Sequence, residues 1–377
     1  MKILMVVSWY SPKDAEVMSA GVFHYEQSMA LKPYCDTALY YPYDVDLTSN
    51  FEKSEERGLL TYRRKFKHIK KVGFFVEIFN TLRDLKKIRK EYKPDVIHAH
   101  CSAPAGFAAT LFGKMYKIPV IITEHSPIEH FDLDNKIAKS KVNFAYSNSK
   151  ANICVSIDSM NKMKSHFPKC DFRVVYNGIY SPEIIGNDGN NYRVDGKINA
   201  CIVAGFYSKD IKGYQYLLPA IAQLKSQGIG VVLHIVGGGD YFDYYVNMAK
   251  ELDIEDCCIF HGNCLKQKVY SIVAQMDFNI SASLYECSGV SVEEALLLGR
   301  PMLVTRSGGA NSLVNEDVAI VVDRGSKDAL VSGIIEMIEK LPEFKEETIR
   351  KYAFENFEID QVSKKYMEIY NNLLEKK

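Results

Sequence analysis

Residues 285–311 read YECSGVSVEEALLLGRPMLVTRSGGAN, a strand–loop–helix–strand pattern with two spaced carboxylates. Glu286 and Glu294 stand eight positions apart, separated by the small-residue turn Ser288-Gly289 and the start of an apolar helix. Upstream, Phe278 to Ser281 reads as a strand; downstream, Leu296 to Gly299 close the helix and Pro301 to Val304 begin another strand. Strand, loop, helix and strand form the repeating unit of an open parallel sheet, whose ligands bind at the C-terminal edge. A helix N-terminus at that edge offers unpaired N–H groups and the positive end of a dipole, both suited to phosphate. Glu286 on the loop and Glu294 in the first turn are then both within reach of a ligand. A plainer reading of Glu293 and Glu294 is helix-start chemistry, since the dipole favours first-turn carboxylates by about 0.3–1 kcal/mol. Glu286 has no such local duty.

The chain has 377 residues, enough for two domains with separate cores. Its 47% hydrophobic and 25% charged content is that of an ordinary globular protein. With 47 basic and 47 acidic residues the formal net charge is zero, which argues against a nucleic-acid binder. Nine cysteines occur without a C-x-x-C pair, and most, such as Cys154 and Cys201, sit in strand-like runs. They read as free thiols of a reducing cytoplasm rather than a zinc site. The opening MKILMVVSWYSP is too short in its apolar part for a signal peptide. No run approaches the roughly 20 apolar residues of a membrane span. The expected location is cytoplasmic, at most peripheral on the inner face of the membrane.

Apolar strands alternate with helix-period segments along the whole chain. Ile3 to Val7, Thr37 to Tyr41, Val96 to His100 and Val120 to Thr123 read as strands; Gly21 to Leu31 and about 105–116 read as helices. Residues 73–92 form the clearest amphipathic helix, with Phe75, Ile78, Phe79, Leu82, Leu85, Ile88 and Tyr92 on one face. The rhythm breaks in the Gly/Asn/Asp-rich stretch 177–197 and then resumes. Strands follow at Ala200 to Ala204, Val231 to Val236, Cys257 to Phe260, Phe278 to Ser281, Met302 to Thr305 and Ala319 to Val322. Two helices, about 346–356 and 360–375, close the chain. The expectation is α/β: two Rossmann-like domains with parallel sheets facing across a cleft. The N-terminal domain spans 1–180, the linker 181–197 and the C-terminal domain 198–358, with a helix 359–377 packing back on the first domain.

Several constellations could carry chemistry. YSKDIKG, residues 207–213, places Lys209 and Lys212 before the helix Tyr214 to Gln227, a sensible diphosphate clamp or merely a solvated loop. Ala20-Gly21 opens a helix where backbone can approach a ligand closely. His98 and His100 alternate on one strand and share a face; satisfied sheet histidines are the simpler reading than a metal pair. His125 follows a strand at the sheet's C-terminal edge, where a neutral imidazole could hold a sugar hydroxyl or a leaving phosphate. Residues 57–93 are strongly basic, with Phe66, Phe74 and Phe75 interleaved. That combination suits an anionic membrane surface, at about 1 kcal/mol per basic residue, or a solvated helix face. A nicotinamide oxidoreductase would need G-x-G-x-x-G after a strand. Neither SWYSPKD nor Val236-Gly-Gly-Gly-Asp240 supplies it.

Together these segments resemble the family 4 retaining glycosyltransferases of the GT-B fold. The likeness covers nearly the whole chain: KILMVVSWYSP with AGVFHYEQ, PDVIHAH, VIITEH and YNGI, then AGFYSKDIKG, LHIVGGGD, FHGN, the E-x7-E segment, GRPMLV, SGG and QVSKKYMEIYNNLL. The resemblance implies a nucleotide-diphosphate sugar as donor, no metal or other cofactor, and a sugar or lipid-linked saccharide as acceptor. It implies that Glu294 binds the ribose hydroxyls, Glu286 the donor sugar, and the backbone of Ser288, Gly289 and Val290 the diphosphate. Lys212 would neutralise that diphosphate as it leaves, Gly21 would let it approach, His125 would sit by the reacting sugar, and His261, Gly262 and Asn263 would lie near the base. Two positions depart from the pattern. Phe206 stands where the family carries Arg, leaving Lys209 as the replacement cation, and Asn311-Ser312 stands where Pro-Glu is common. The rival reading is a catalytically weakened homologue that binds a nucleotide sugar or acts as a scaffold.

Overall fold

The computed structural model describes residues 1–13, 21–66, 73–181 and 188–375. The chain divides into two compact units, Met1–Gly178 with Ile359–Lys377, and Ile179–Glu358. Both are built on parallel sheets, as the alternation of strand and helix signals leads one to expect.

The first unit carries an eight-stranded sheet. In chain order its strands are β1 (Lys2–Val7), β2 (Asp36–Asp44), β3 (Phe51–Glu56), β4 (Leu59–Lys65), β5 (Val96–His100), β6 (Val120–Glu124), β7 (Ala151–Cys154) and β8 (Phe172–Val174). Their spatial order is β3-β4-β2-β1-β5-β6-β7-β8, parallel throughout except for the β3–β4 hairpin. β1 lies between β2 and β5, so connections leave it in both directions and its C-terminal end is a switch point. Ile3, Met5 and Val7 pack on one face with Val362, Tyr366 and Tyr370 of the helix Ile359–Glu375. Leu4 and Val6 pack on the other with Leu85, Ile88 and Phe112.

The basic stretch changes character in this frame. Leu59–Lys65 is a strand, and Arg63 is buried with its guanidinium on Asp44 (2.6 Å) and Glu56 (2.8 Å). Arg64 is paired with Asp84, which also accepts from Tyr40 Oη at 2.9 Å. These two arginines are therefore neutralised inside the unit and add nothing to an outward field. Residues 67–72 and the side chain of Phe74 lie outside the described residues. On the helix Gly73–Glu91, Ile78, Leu85 and Ile88 are buried as the periodicity predicts, but Phe75 and Phe79 are 73% and 66% exposed.

The second unit carries a six-stranded parallel sheet of β9 (Ile198–Val203), β10 (Val231–Val236), β11 (Cys258–Gly262), β12 (Phe278–Ser281), β13 (Met302–Thr305) and β14 (Ala319–Val322). The order β11-β10-β9-β12-β13-β14 is that of a doubly wound nucleotide-binding sheet, with its switch point between β9 and β12. The helices Tyr214–Ser226 and Lys327–Lys340 supply Leu217, Ile221, Leu330 and Ile334 to its core. All nine cysteines are free. Among the described residues no helix is long and apolar enough to cross a membrane.

Candidate active site

The loops that leave β9 and β12 carry most of the expected residues, and these two strands flank the switch point. After β9 the chain runs to Gly213, which opens the helix Tyr214–Ser226 at φ 73°. A Cβ on Gly213 would stand 1.9 Å from the carbonyl oxygen of Ala282, the residue after β12. Only glycine allows both that backbone conformation and that approach. Leu284 N donates to Ile211 O at 2.8 Å, so the two loops are joined by backbone as well.

This junction sets Lys212 against Glu286. Lys212 Nζ donates to Glu286 Oε1 at 2.6 Å, and Ser283 Oγ donates to the same oxygen at 2.7 Å. Both side chains of the ion pair remain partly exposed, at 31% and 20%. Glu286 is also held through its backbone: its N–H donates to Ser307 O (2.9 Å) and its carbonyl accepts from Gly309 N (2.8 Å). A cation and an anion fixed by rigid backbone at a sheet edge can be pulled apart by a ligand carrying the complementary groups. A diphosphate would take the ammonium, and sugar hydroxyls would take the carboxylate.

Ser288 and Gly289 lead into the eight-residue helix Val290–Leu297, whose first amides have no intrahelical acceptor. Glu294 lies on this helix, separate from the Glu286 pair. Its Oε1 accepts from Tyr270 Oη at 3.0 Å and lies 3.6 Å from Lys266 Nζ. Its neighbour Glu293 is buried completely, accepts from Ser288 Oγ at 3.1 Å, and is pushed by burial up to about 8. At neutral pH Glu293 is thus largely uncharged, and no second anion stands at the start of the helix. Reading Glu293 as a simple helix-start carboxylate missed this. Burial was the missing information, although its place inside an apolar run, Val292 to Leu298, was a signal.

Lys209 is exposed, with its ammonium 4.6 Å from the centroid of the Tyr244 ring. Phe206 is buried, stacked on Tyr214 with ring centroids 4.4 Å apart and packed against Phe242 and Tyr245. The position where an arginine was expected is a core position in this chain. His261 Nε2 lies 3.0 Å from His234 Nδ1, within β11 and β10, and the Asn263 amide packs on Gly238, just past the ends of the same two strands. Asn311 Oδ1 accepts from Gly308 N at 2.7 Å, so it fixes the loop that pairs with Glu286. Ser283, Lys266 and Tyr270 were not singled out from the sequence. The i,i+4 spacing of Lys266 and Tyr270, at the start of the helix Lys266–Ala274, was the available sign that both share a face.

In the first unit, Gly21 precedes the helix Val22–Leu31 at φ 65°, and a Cβ there would meet Trp9 O at 2.8 Å. Ala20 lies outside the described residues. His125 follows β6, with Nε2 3.0 Å from His100 Nδ1 and the two rings stacked 5.2 Å apart. Burial pushes His125 down to about 3, so it is neutral across the physiological range and can hold a hydroxyl but not supply a proton. His98 is satisfied on both nitrogens, by Tyr370 Oη and Thr123 Oγ1, each at 2.8 Å.

The profile of the family described as Glycosyl transferases group 1 matches residues 190–355, and that of Glycosyltransferase Family 4 matches residues 44–181. Among curated proteins, the chain is 25% identical over 288 residues to alpha-monoglucosyldiacylglycerol synthase of Streptococcus pneumoniae. That match takes in 71% of this chain and 64% of the relative, under two thirds of its length. It is 24% identical over 291 residues to N-acetyl-alpha-D-glucosaminyl L-malate synthase of Bacillus anthracis, covering 74% of this chain and 75% of the other. Among solved structures, sucrose-phosphate synthase from Thermosynechococcus elongatus superposes with a TM-score of 0.78 at 15% identity, over the full length of both chains. Anabaena HepE in complex with UDP superposes at 0.76 with 18% identity, over 99% of this chain and 100% of the other. At such identities these structures speak for the fold.

Proposed function

Because the chain belongs to the family 4 type of glycosyltransferases, we propose that it transfers a sugar from a nucleotide diphosphate to an acceptor hydroxyl with retention of anomeric configuration. The observation that carries this reading is the Lys212–Glu286 pair at the switch point of the six-stranded sheet. In this reading Lys212 takes the departing diphosphate together with the amides at Ser288, Gly289 and Val290. Glu286 takes hydroxyls of the donor sugar and Glu294 those of the ribose. His261, Gly262 and Asn263 lie by the base, Gly21 admits the diphosphate, and His125 holds a sugar hydroxyl. With His125 held down to about 3, and so too weak a base to take it, the acceptor's proton goes to the leaving phosphate, and the protein supplies position and charge stabilisation. No metal ion is needed for that chemistry. Lys209 is a second, more peripheral cation for the phosphates.

The acceptor is proposed to be a saccharide or a lipid-linked saccharide of the cell envelope, met at the cytoplasmic face of the membrane. Support comes from the pneumococcal relative, named for a glucosyldiacylglycerol product, and from exposed Phe75 and Phe79 on a helix that also carries Arg83, Lys86, Lys87, Arg89 and Lys90. Sedimentation with anionic vesicles at low salt is expected; a chain left entirely in the supernatant removes the membrane from the account. Proton NMR of the first product formed from an α-linked nucleotide sugar tests the chemistry. An α-linked product is expected, and a β-linked one would rule out retention.

A further inference from the structure

Near the ends of β1 and β5, two histidines, His24 and His100, carry three ring nitrogens that the protein leaves without a partner, and His125, after β6, adjoins them. His24, on the helix Val22–Leu31, is fully buried and neither ring nitrogen has a hydrogen-bond partner. His100, the last residue of β5, is fully buried with Nδ1 on His125 and Nε2 without a partner. A buried polar atom left unpaired costs about 1–3 kcal/mol, so three in one place are not explained by packing alone. His98, two residues from His100, shows how this fold satisfies a histidine that serves structure only.

One ring nitrogen each from His24, His100 and His125 can be chosen so that all three lie within 4.8 Å of one another. A neutral imidazole offers one ring-nitrogen lone pair to a metal ion. Trp9 and Phe23 pack around them, Phe23 4.2 Å from His24 and 4.6 Å from His125 between ring centroids. Three neutral imidazoles with no carboxylate among them select zinc and its neighbours, not magnesium or calcium. A tetrahedral zinc with bonds of about 2.0–2.1 Å needs nitrogens about 3.4 Å apart. His100 Nδ1 and His125 Nε2 are already at 3.0 Å, so an ion taking this pair with a His24 nitrogen replaces their hydrogen bond and relieves His24, while His100 Nε2 is not among its ligands. His125, half-buried where His24 and His100 are fully buried, is the ring best able to turn to close the remaining gap, and a fourth ligand would be water or a hydroxyl.

We propose that His24, His100 and His125 form a binding site for a divalent first-row transition ion such as zinc, which inhibits transfer by occupying His125. The inhibitory half rests on the reading that His125 holds the donor sugar; the site itself does not. The ion plays no part in the reaction and takes a position that the sugar needs.

The test uses the full chain, stripped with chelator and titrated with cobalt(II) as a coloured stand-in for zinc. Intense visible ligand-field bands that saturate at one equivalent, lack thiolate charge transfer and are bleached by zinc are expected. His24→Phe keeps an aromatic ring in place and should abolish them. His125→Phe, at a half-buried position, should do the same if the first variant fails to fold. Replacing the exposed His166 should leave them intact. Absence of the bands, charge transfer from the free cysteines, or equal binding in both folded Phe variants would overturn the site and leave buried water as the partner of these nitrogens. Zinc should also raise KM for the nucleotide sugar several-fold. Stoichiometric binding without that rise would keep the site and remove His125 from sugar recognition.

Discussion

Glu293 and Glu294 are adjacent in sequence yet stand in opposite environments. Glu294 meets Tyr270 and Lys266 with part of its surface in water, whereas Glu293 is enclosed and protonated well above the ordinary carboxylate range. A folded-state value of about 8 against 4.5 for a free side chain means that the folded chain holds a proton the unfolded chain has lost throughout that window. This contribution to stability is therefore complete below the lower value and disappears as pH rises through the upper one. Glu293→Gln should remove that slope. In urea melts its midpoint should match wild type near about pH 5 and exceed it near about pH 8.5. An identical pH dependence in both proteins would show that Glu293 is charged in the fold. The spacing of Glu286, Glu294 and Lys212 was legible in the sequence because it follows local strand–loop–helix grammar. The contact between Lys212 and Glu286 was not, because it depends on two loops 74 residues apart being pressed together.

At the scale of elements, that pressing is the work of Gly213. Gly213→Ala would combine a positive φ with a collision against Ala282 O, whereas Gly228 shares the positive φ (77°) and has nothing within 4 Å. Gly228→Ala should then cost about 1 kcal/mol, the ordinary strain of such a position. Gly213→Ala should cost clearly more and lose nucleotide binding; equal costs, measured by urea denaturation, would mean that the loops are free to separate. Strands at the centre of each sheet were readable because they are short apolar runs between turn signals. The β3–β4 hairpin was not, since Arg63 and Arg64 read as surface charge until Asp44, Glu56 and Asp84 are seen to meet them. Phe75 and Phe79 failed in the opposite sense. Their helical spacing placed them on the apolar face, yet the described sheet and helices do not cover them. Phe206, read as a departure within the site, is explained by the ring cluster of Tyr214, Phe242 and Tyr245, a tertiary feature that no local pattern announces.

For the whole molecule, two parallel-sheet units with separate cores account for a chain of zero net charge and ordinary composition. Each core is large enough for its own cooperative transition. The six-stranded unit holds Lys212, Glu286 and Glu294, and the nucleotide donor is proposed to bind at its switch point. Scanning calorimetry with nucleoside diphosphates reads that binding out. Two unfolding transitions are expected, one of them stabilised by the preferred nucleotide by about 2.7 kcal/mol at a hundred times Kd. That gain, and turnover of the matching nucleotide sugar, should vanish in Lys212→Ala and Glu294→Ala while both variants keep their two transitions. An undiminished nucleotide shift or wild-type turnover in either folded variant would contradict donor binding at that switch point.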